Sequence, residues 1–355
     1  MNKPFNEDLF HNKLNEKYRS IIHKRAKQLP KKFESEAPFP KNCLIELTNA
    51  CNHACIFCNS PRMKRGISRL SENLYEKFIK DAVKCGLEEV GLYATGEPFL
   101  TKNIDWYIST AKKNNIKRVY ITTNGSLAAL SRVKSAYENG LDSIKFSINS
   151  STKSNYIIVH GKDDFEKVKK NISDIWNWKN NNKINLEMLG SFIYTDKTKN
   201  EIDIFKNTFD KYFSASMVIP AGTQGGRFNE DIMKISTPAR KKKNIKDISP
   251  CSFLWDRIIL TCEGYLTACA VDYELDLVYF DYNNSNKSSL LNIWNNEIIK
   301  KLRKKHLAKN LDNLICKNCL LGTNEKYEKI KKINYKISTN EAKNKKIKSR
   351  VDNFI

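Results

Sequence analysis

The sequence predicts an α/β protein, a partial (β/α)6 TIM-type barrel with a small C-terminal α+β domain. Three observations carry this expectation. Six short β-like runs alternate with amphipathic helical stretches between residues 43 and 220. The links between them lack hairpin turn signals, so the strands are expected to run parallel with helices outside. After Pro220 the alternation stops, and a stretch with its own cysteines begins. A chain of 355 residues is long enough to bury cores for both parts.

Residues 1–40 read as a charged helical preamble that ends at Pro38 and Pro40. The barrel is expected over 41–228. Its strands are CLIELT (43–48), EEVGLYA (88–94), RVYITT (118–123), SIKFSI (143–148), NLEMLGSFI (185–193) and ASMVIP (215–220). In the first helix Ser71 is placed to cap, and Leu74, Phe78, Ile79, Ala82 and Val83 share one face. Gly86 is placed to stop it. Further helices are expected near 104–113, 127–137, 165–178 and 202–213. AGTQGGRF (221–228) is a glycine-rich loop, and 229–250 reads as an exposed linker. A second domain is expected over 251–325. It opens with a hairpin in CSFLWDRIILTCEGYLTACAVDYE (251–274), turning at Glu263–Gly264. One helix, SSLLNIWNNEIIKKLRKKH (288–306), follows, then CKNC (316–319). The lysine-rich stretch 326–355 reads as a tail.

Composition narrows the function classes. Hydrophobic residues make up 40% of the chain, as in ordinary globular proteins. No apolar run approaches the ~20 residues that span a bilayer, and no signal peptide is visible. A cytoplasmic protein with reduced thiols is expected, in which clustered cysteines bind metal or do redox chemistry. The formal charge of +23 invites a nucleic-acid reading. Lysine, spread along the chain, supplies most of it, and arginine, the better phosphate fork, is scarce. The basic runs at 240–243, 300–306 and 326–350 are read as solvated surface, and nucleic acid is set aside as a partner. The same charge would draw anionic small molecules.

Ten cysteines are present, and three crowd into CNHACIFC (51–58). Thiolates are soft ligands that select zinc or iron–sulfur clusters. A structural zinc site is closed by four ligands. His53 is a nominal fourth, but it lies between ligands spaced too tightly to wrap one tetrahedral ion. Cys51, Cys55 and Cys58 on a [4Fe–4S] cube would leave one iron open.

This spacing resembles the signature of the radical SAM superfamily, and the C-terminal cysteines resemble its SPASM/twitch-domain subgroup. The resemblance implies that the open iron binds S-adenosylmethionine and that its cleavage gives a 5′-deoxyadenosyl radical. It also implies that Phe57 borders the adenine. TGEP (Thr95, Gly96, Glu97, Pro98) resembles the family's GGEP, with Thr95 in place of the first Gly. Its backbone would hold the methionyl ammonium, and Glu97 would brace the turn. TTNG (122–125), with Asn124, resembles the family's TNG. Ser147 and Asn149 match positions that bond the cofactor's ribose or carboxylate, where Asp is commoner than Asn. Cys251, Cys269, Cys316 and Cys319 look like the shortened form that holds one auxiliary [4Fe–4S] cluster. Cys262 is left over, and Cys43 and Cys85 are expected as inert core thiols.

In architecture the chain looks like the subgroup's alcohol-oxidising aminocyclitol enzymes. That resemblance implies dehydrogenation of a secondary alcohol on a sugar, aminocyclitol or nucleotide-linked molecule, with a flavodoxin- or ferredoxin-type electron donor. Arg227, and more weakly Asp272, are the candidates for substrate contact and proton removal. Two alternatives stand beside this: a peptide- or protein-modifying enzyme (sulfatase maturation or thioether formation), and a zinc-stabilised nucleic-acid-binding protein.

Overall fold

β-Branched and aromatic residues mark all six expected strands, and all six form in the computed structural model, which describes residues 29–227, 243–285 and 289–333. Residues 1–28 of the preamble, 229–242 of the linker and 334–355 of the tail lie outside the described residues, as do 228 and 286–288. The strands are β1 Asn42–Ile45, β2 Glu89–Gly91, β3 Arg118–Thr123, β4 Ser143–Ser147, β5 Glu187–Tyr194 and β6 Ala215–Pro220. Each is parallel to the next. The expected helices lie at Glu72–Lys84, Ile104–Lys113, Leu130–Glu138, Phe165–Asn181 and Ile202–Phe209. Ser71 caps the first, its side chain accepting from Leu74 N, and Gly86 follows it at φ +94°.

Strand residues alternate between two faces. Cys43, Ile45, Val90, Val119, Ile121, Ile144 and Phe146 belong to the core under the helices. Leu44 and Tyr120 project to the other face, where they meet Ile259 and Tyr93.

The C-terminal hairpin forms as β7 Arg257–Leu260 and β8 Tyr265–Thr267, antiparallel, with Gly264 in the turn at φ +89°. Two features go beyond the expectation. A further strand, β9 Val278–Asp281, pairs with β8. β7 itself pairs in parallel with β1, giving one nine-stranded sheet in the order β6-β5-β4-β3-β2-β1-β7-β8-β9. The second region is thus joined to the first by main-chain hydrogen bonds. The single helix expected over 288–306 is two, Leu290–Trp294 and Glu297–Leu307. Asn296 separates them because its side chain accepts from Ile298 N and Ile299 N and so caps the second. CKNC falls in the short helix Ile315–Leu321. Among the described residues, no helix is long and apolar enough to cross a membrane.

One helix, Lys153–His160, was not expected. Its sequence hides its period: Tyr156, Val159 and His160 are buried, while Ile157 and Ile158 are 39% and 48% exposed. The buried Glu201 holds its start. That carboxylate accepts from Ser150 Oγ (2.8 Å), Ser151 N (2.7 Å), Asn155 Nδ2 (2.6 Å) and Thr152 Oγ1. Gly161 ends it at φ +69°, where a Cβ would stand 3.0 Å from Ala54 O in the cysteine loop.

Burial would raise the Glu201 carboxyl, and the bonds from Thr152, Ser151, Asn155 and Ser150 outweigh it, so its pKa lies below the ordinary value. A depressed carboxyl adds stability above its unfolded pKa, and that stability is lost as pH falls through the folded one. Urea midpoints are expected to drop below about pH 4 by more in the natural protein than in Glu201→Gln, which at neutral pH is about 1–3 kcal/mol less stable.

Candidate functional site

The three clustered cysteines sit on a loop after β1 that has no helix or strand of its own. Its backbone is satisfied from outside, as buried polar groups require. Ala54 N donates to His160 O and Ile56 N to Val159 O, both at 2.9 Å, and Cys58 N donates back to Cys55 O at 3.0 Å. The end of the helix Lys153–His160 is therefore the rail on which the loop lies.

The turn after β2 holds the loop from the other side. Glu97 N donates to Ala50 O at 2.7 Å. At Gly96 a Cβ would stand 2.2 Å from Thr48 O and 2.5 Å from Ala50 O, so only glycine admits this approach. The Glu97 carboxylate then reaches the turn after β3, accepting from Thr123 Oγ1 (2.7 Å) and Asn124 N (2.8 Å). It also accepts from Phe99 N (3.1 Å) just beyond Pro98. Burial raises its carboxyl to about 6. Asn124 Nδ2 closes the ring by donating to Asn52 Oδ1 at 2.8 Å, inside the cysteine loop.

Thr95, where the resembling family has glycine, has a local use. Its hydroxyl donates to Glu46 and accepts from Arg65 Nη2 at 3.0 Å. Arg65 is 1% exposed and lies between Glu46 (2.9 Å) and Glu263 (2.8 Å). Ser147 Oγ is 3.3 Å from Ser191 Oγ. Asn149 adopts φ +57°, a region Asn tolerates, and its Oδ1 accepts from Ile193 N at 2.9 Å. Phe57 packs with Val159 and Ala221 beside Cys55, Cys58 and Ile193.

Burial pushes the Cys51 thiol up to about 12, with the nearby Glu97 adding to the effect, and raises Cys55 and Cys58 as well. Three half-buried thiols with raised pKa values stay protonated without a cation, and a metal charge reverses that. The donor set therefore fits a thiolate-bound iron centre. Behind Cys55, His160 Nδ1 lies 3.5 Å from its sulfur and 3.2 Å from His53 Nδ1, while His160 Nε2 donates to Ile148 O at 2.6 Å. His53 Nε2 meets Asp164 Oδ2 at 3.0 Å. Both imidazoles thus back the loop, each with its outer nitrogen already partnered.

Cys251, Cys269, Cys316 and Cys319 form a second cysteine set, lining a cavity with Leu254, Leu277 and His306. The four come from the segment before β7, the turn after β8 and the helix Ile315–Leu321. Burial raises all four thiols, Cys251 to about 12, and charge repulsion from neighbouring cysteines adds to it at Cys251, Cys269 and Cys316. This set also fits a thiolate-bound cluster, closed by four ligands. Cys262 lies elsewhere: its N–H donates to Glu46 at 3.2 Å, beside the Arg65 pair. Cys43 is core.

Arg227 and Asp272, expected as substrate-contacting or proton-removing groups, are engaged otherwise. Arg227 is ion-paired with Asp276 and lies 3.9 Å from Asp272. Asp272 accepts from Thr267 Oγ1 (2.7 Å), Asp276 N (2.8 Å) and Leu277 N (2.9 Å), which ties the turn after β8. Both side chains are therefore held by ion pairs and hydrogen bonds at the turn after β8. Pairing between Arg227 and residues 45 to 49 positions away leaves no local trace in sequence.

Three residues that the sequence did not single out connect the parts. His160 has been described. Tyr273 Oη lies 3.4 Å from Cys58 Sγ and donates to Gln224 Oε1 at 2.5 Å. In the same loop as Gln224, Thr223 Oγ1 donates to Cys319 Sγ at 3.2 Å. One glycine-rich loop therefore touches both cysteine sets.

Comparison with known proteins agrees with this geometry. Residues 45–175 match the family described as the Radical SAM superfamily, and residues 251–320 match SPASM, described as an iron–sulfur cluster-binding domain. A probable GTP 3',8-cyclase of Methanocella arvoryzae is 29% identical over 125 residues, 35% of this chain and 39% of the relative. One of Sulfurisphaera tokodaii is 32% identical over 130 residues, 37% and 41%. The chain thus spans about two fifths of the length of these curated relatives. Two solved structures share the fold at 16% identity. BtrN in complex with AdoMet and 2-DOIA has a TM-score of 0.53, covering 82% of this chain and 98% of that one. Streptococcus suis SuiB bound to precursor peptide SuiA has a TM-score of 0.58, covering 85% and 75%.

Gly96→Ala must displace two carbonyls of the loop. It is expected to cost about 1–3 kcal/mol in chemical denaturation and to lower iron uptake at the first cysteine set, measured as iron per chain.

Proposed function

The chain belongs to the radical SAM superfamily and carries a SPASM-type iron–sulfur domain, and on that premise we propose that it is an oxidoreductase that dehydrogenates a secondary alcohol of a sugar, aminocyclitol or nucleotide-linked small molecule. In this reading residues 41–228 form the radical SAM core and 251–325 the auxiliary domain. Cys51, Cys55 and Cys58 hold the [4Fe–4S] cluster that binds S-adenosylmethionine, and Cys251, Cys269, Cys316 and Cys319 hold an auxiliary [4Fe–4S] cluster. When bound, these groups would supply a 5′-deoxyadenosyl radical to take a hydrogen atom from the substrate carbon, and an acceptor for the electron the substrate gives up as its hydroxyl proton passes to solvent.

The observation that supports the reading is the cavity that Cys251, Cys269, Cys316 and Cys319 line together, a set that would supply a thiolate to every iron of one cluster. A closed site suits electron acceptance, with its potential set by burial and hydrogen bonds. At the first site, Thr95, Gly96 and Pro98 offer backbone to the cofactor's amino-acid end, while Asn124, Ser147 and Asn149 offer amides and a hydroxyl. Phe57 walls the apolar side and excludes water. With Arg227 and Asp272 tied up, Lys145 is a better substrate contact. It leaves β4 on the face away from the helices, with Nζ 5.9 Å from the centre of the Tyr93 ring. There its charge suits an anionic or hydroxyl-rich substrate. A flavodoxin- or ferredoxin-type protein is the proposed electron donor.

Anaerobically reconstituted protein should hold about eight irons, two four-iron clusters, and four would remove the auxiliary cluster from the reading. Cys55→Ala should abolish S-adenosylmethionine cleavage. Cys316→Ala should keep cleavage and lose turnover, and normal product formation in that variant would contradict the acceptor role. Mass spectrometry of the product decides the substrate class: loss of a hydrogen pair from a small alcohol supports dehydrogenation, whereas a modified peptide overturns it.

A further inference from the structure

Resting on the reading that Cys251, Cys269, Cys316 and Cys319 hold an auxiliary cluster, we infer that His306 donates a hydrogen bond to that cluster and sets its potential. His306 sits in the last turn of the helix Glu297–Leu307, is 2% exposed, and lines the same cavity as the four thiols. Its Nδ1 accepts the backbone N–H of Cys251 at 3.4 Å. A ring nitrogen that accepts carries no proton, so the single proton of this imidazole is on Nε2. Nε2 is buried and has no hydrogen-bond partner among the described residues.

Among the described residues no acceptor lies within hydrogen-bond reach of that nitrogen. Leu254, Leu277, Ile315 and Leu320 are apolar, and the carboxylate of Asp272 is taken by Thr267 and two backbone amides. A buried donor left without an acceptor is costly and rare. Iron-bound thiolate and sulfide are acceptors, and they are the chemistry that the four cysteines gather at this place. Cys251 contributes twice, its sulfur as a ligand and its amide as the bond that fixes the tautomer.

The consequence is electronic. One-electron reduction adds a negative charge to the cluster without making or breaking a bond. An N–H directed at its sulfur stabilises the reduced form more than the oxidised one, and so raises the potential. His306 therefore helps make the cluster an acceptor for the electron that the substrate radical releases.

The test is an EPR-monitored redox titration of the reconstituted full chain, with dithionite as reductant. Loss of one hydrogen bond to a charged acceptor should weaken the reduced state about tenfold, which is about 59 mV to lower potential for a one-electron couple. His306→Phe should show this shift in the auxiliary signal alone, and His306→Gln, which keeps an N–H, should recover most of it. An unchanged potential in His306→Phe with its iron retained overturns the inference. Should His306→Phe lose the cluster, Cys55→Ala protein labelled with 15N-histidine keeps only the auxiliary site. Pulsed EPR should then find one coupled imidazole nitrogen, and its absence overturns the inference equally. The two readings fail separately: the shift without alcohol oxidation sinks the proposed reaction, and alcohol oxidation without the shift sinks the role of His306.

Discussion

The loop that carries the three cysteines bonds little of its backbone to itself, and the whole site follows from how the remaining bonds are met. The carbonyls of Val159 and His160 receive two amides of the cysteine loop, and Ala50 O receives the amide of Glu97. Gly96 lets the second-strand turn approach close enough for that last bond. From there the Glu97 carboxylate binds the third-strand turn, and Asn124 returns to Asn52. Three short motifs far apart in sequence are thus one hydrogen-bonded ring. Each is weak as a pattern, and each is needed where it stands because its neighbours complete it.

The same logic joins the two halves. Arg65 is a fully buried cation, which is tolerable only when paired and hydrogen-bonded. Its partners come from both regions: Glu46 after β1 and Glu263 at the tip of the C-terminal hairpin. Thr95 supplies a further acceptor, which gives its hydroxyl a function that glycine at this position would lack. The parallel pairing of β7 with β1 adds main-chain bonds to this contact. Tyr273 and the Gln224 loop then bring the walls of the two sulfur sites together. The C-terminal region is a continuation of the sheet and shares its side chains with the first site.

Legibility in the sequence tracked the range of the interaction. Strands β3 and β6 and the helix Ile104–Lys113 were read to the residue, because alternation and helical period are local. The helix Lys153–His160 was missed because the run YIIV is apolar on every side and β-branched, while only part of it is buried. That omission concealed His160, which follows the run and backs Cys55. The helix break at Asn296 was missed although its capping residue was in plain view, since an Asn within a long amphipathic pattern also reads as surface.

By itself the sequence determined the order of the strand–helix units, the three-plus-four division of the chemically suited cysteines, and the family of the chain. These rest on spacing along the backbone, which sequence records directly. Tertiary structure decided which charged groups are paired with one another. Arg227 with Asp276, Arg65 with Glu46 and Glu263, and His306 with Cys251 are pairs formed across tens to hundreds of residues. Burial and partnership fix the role of an ionisable or polar side chain, and both depend on neighbours that only the folded chain supplies.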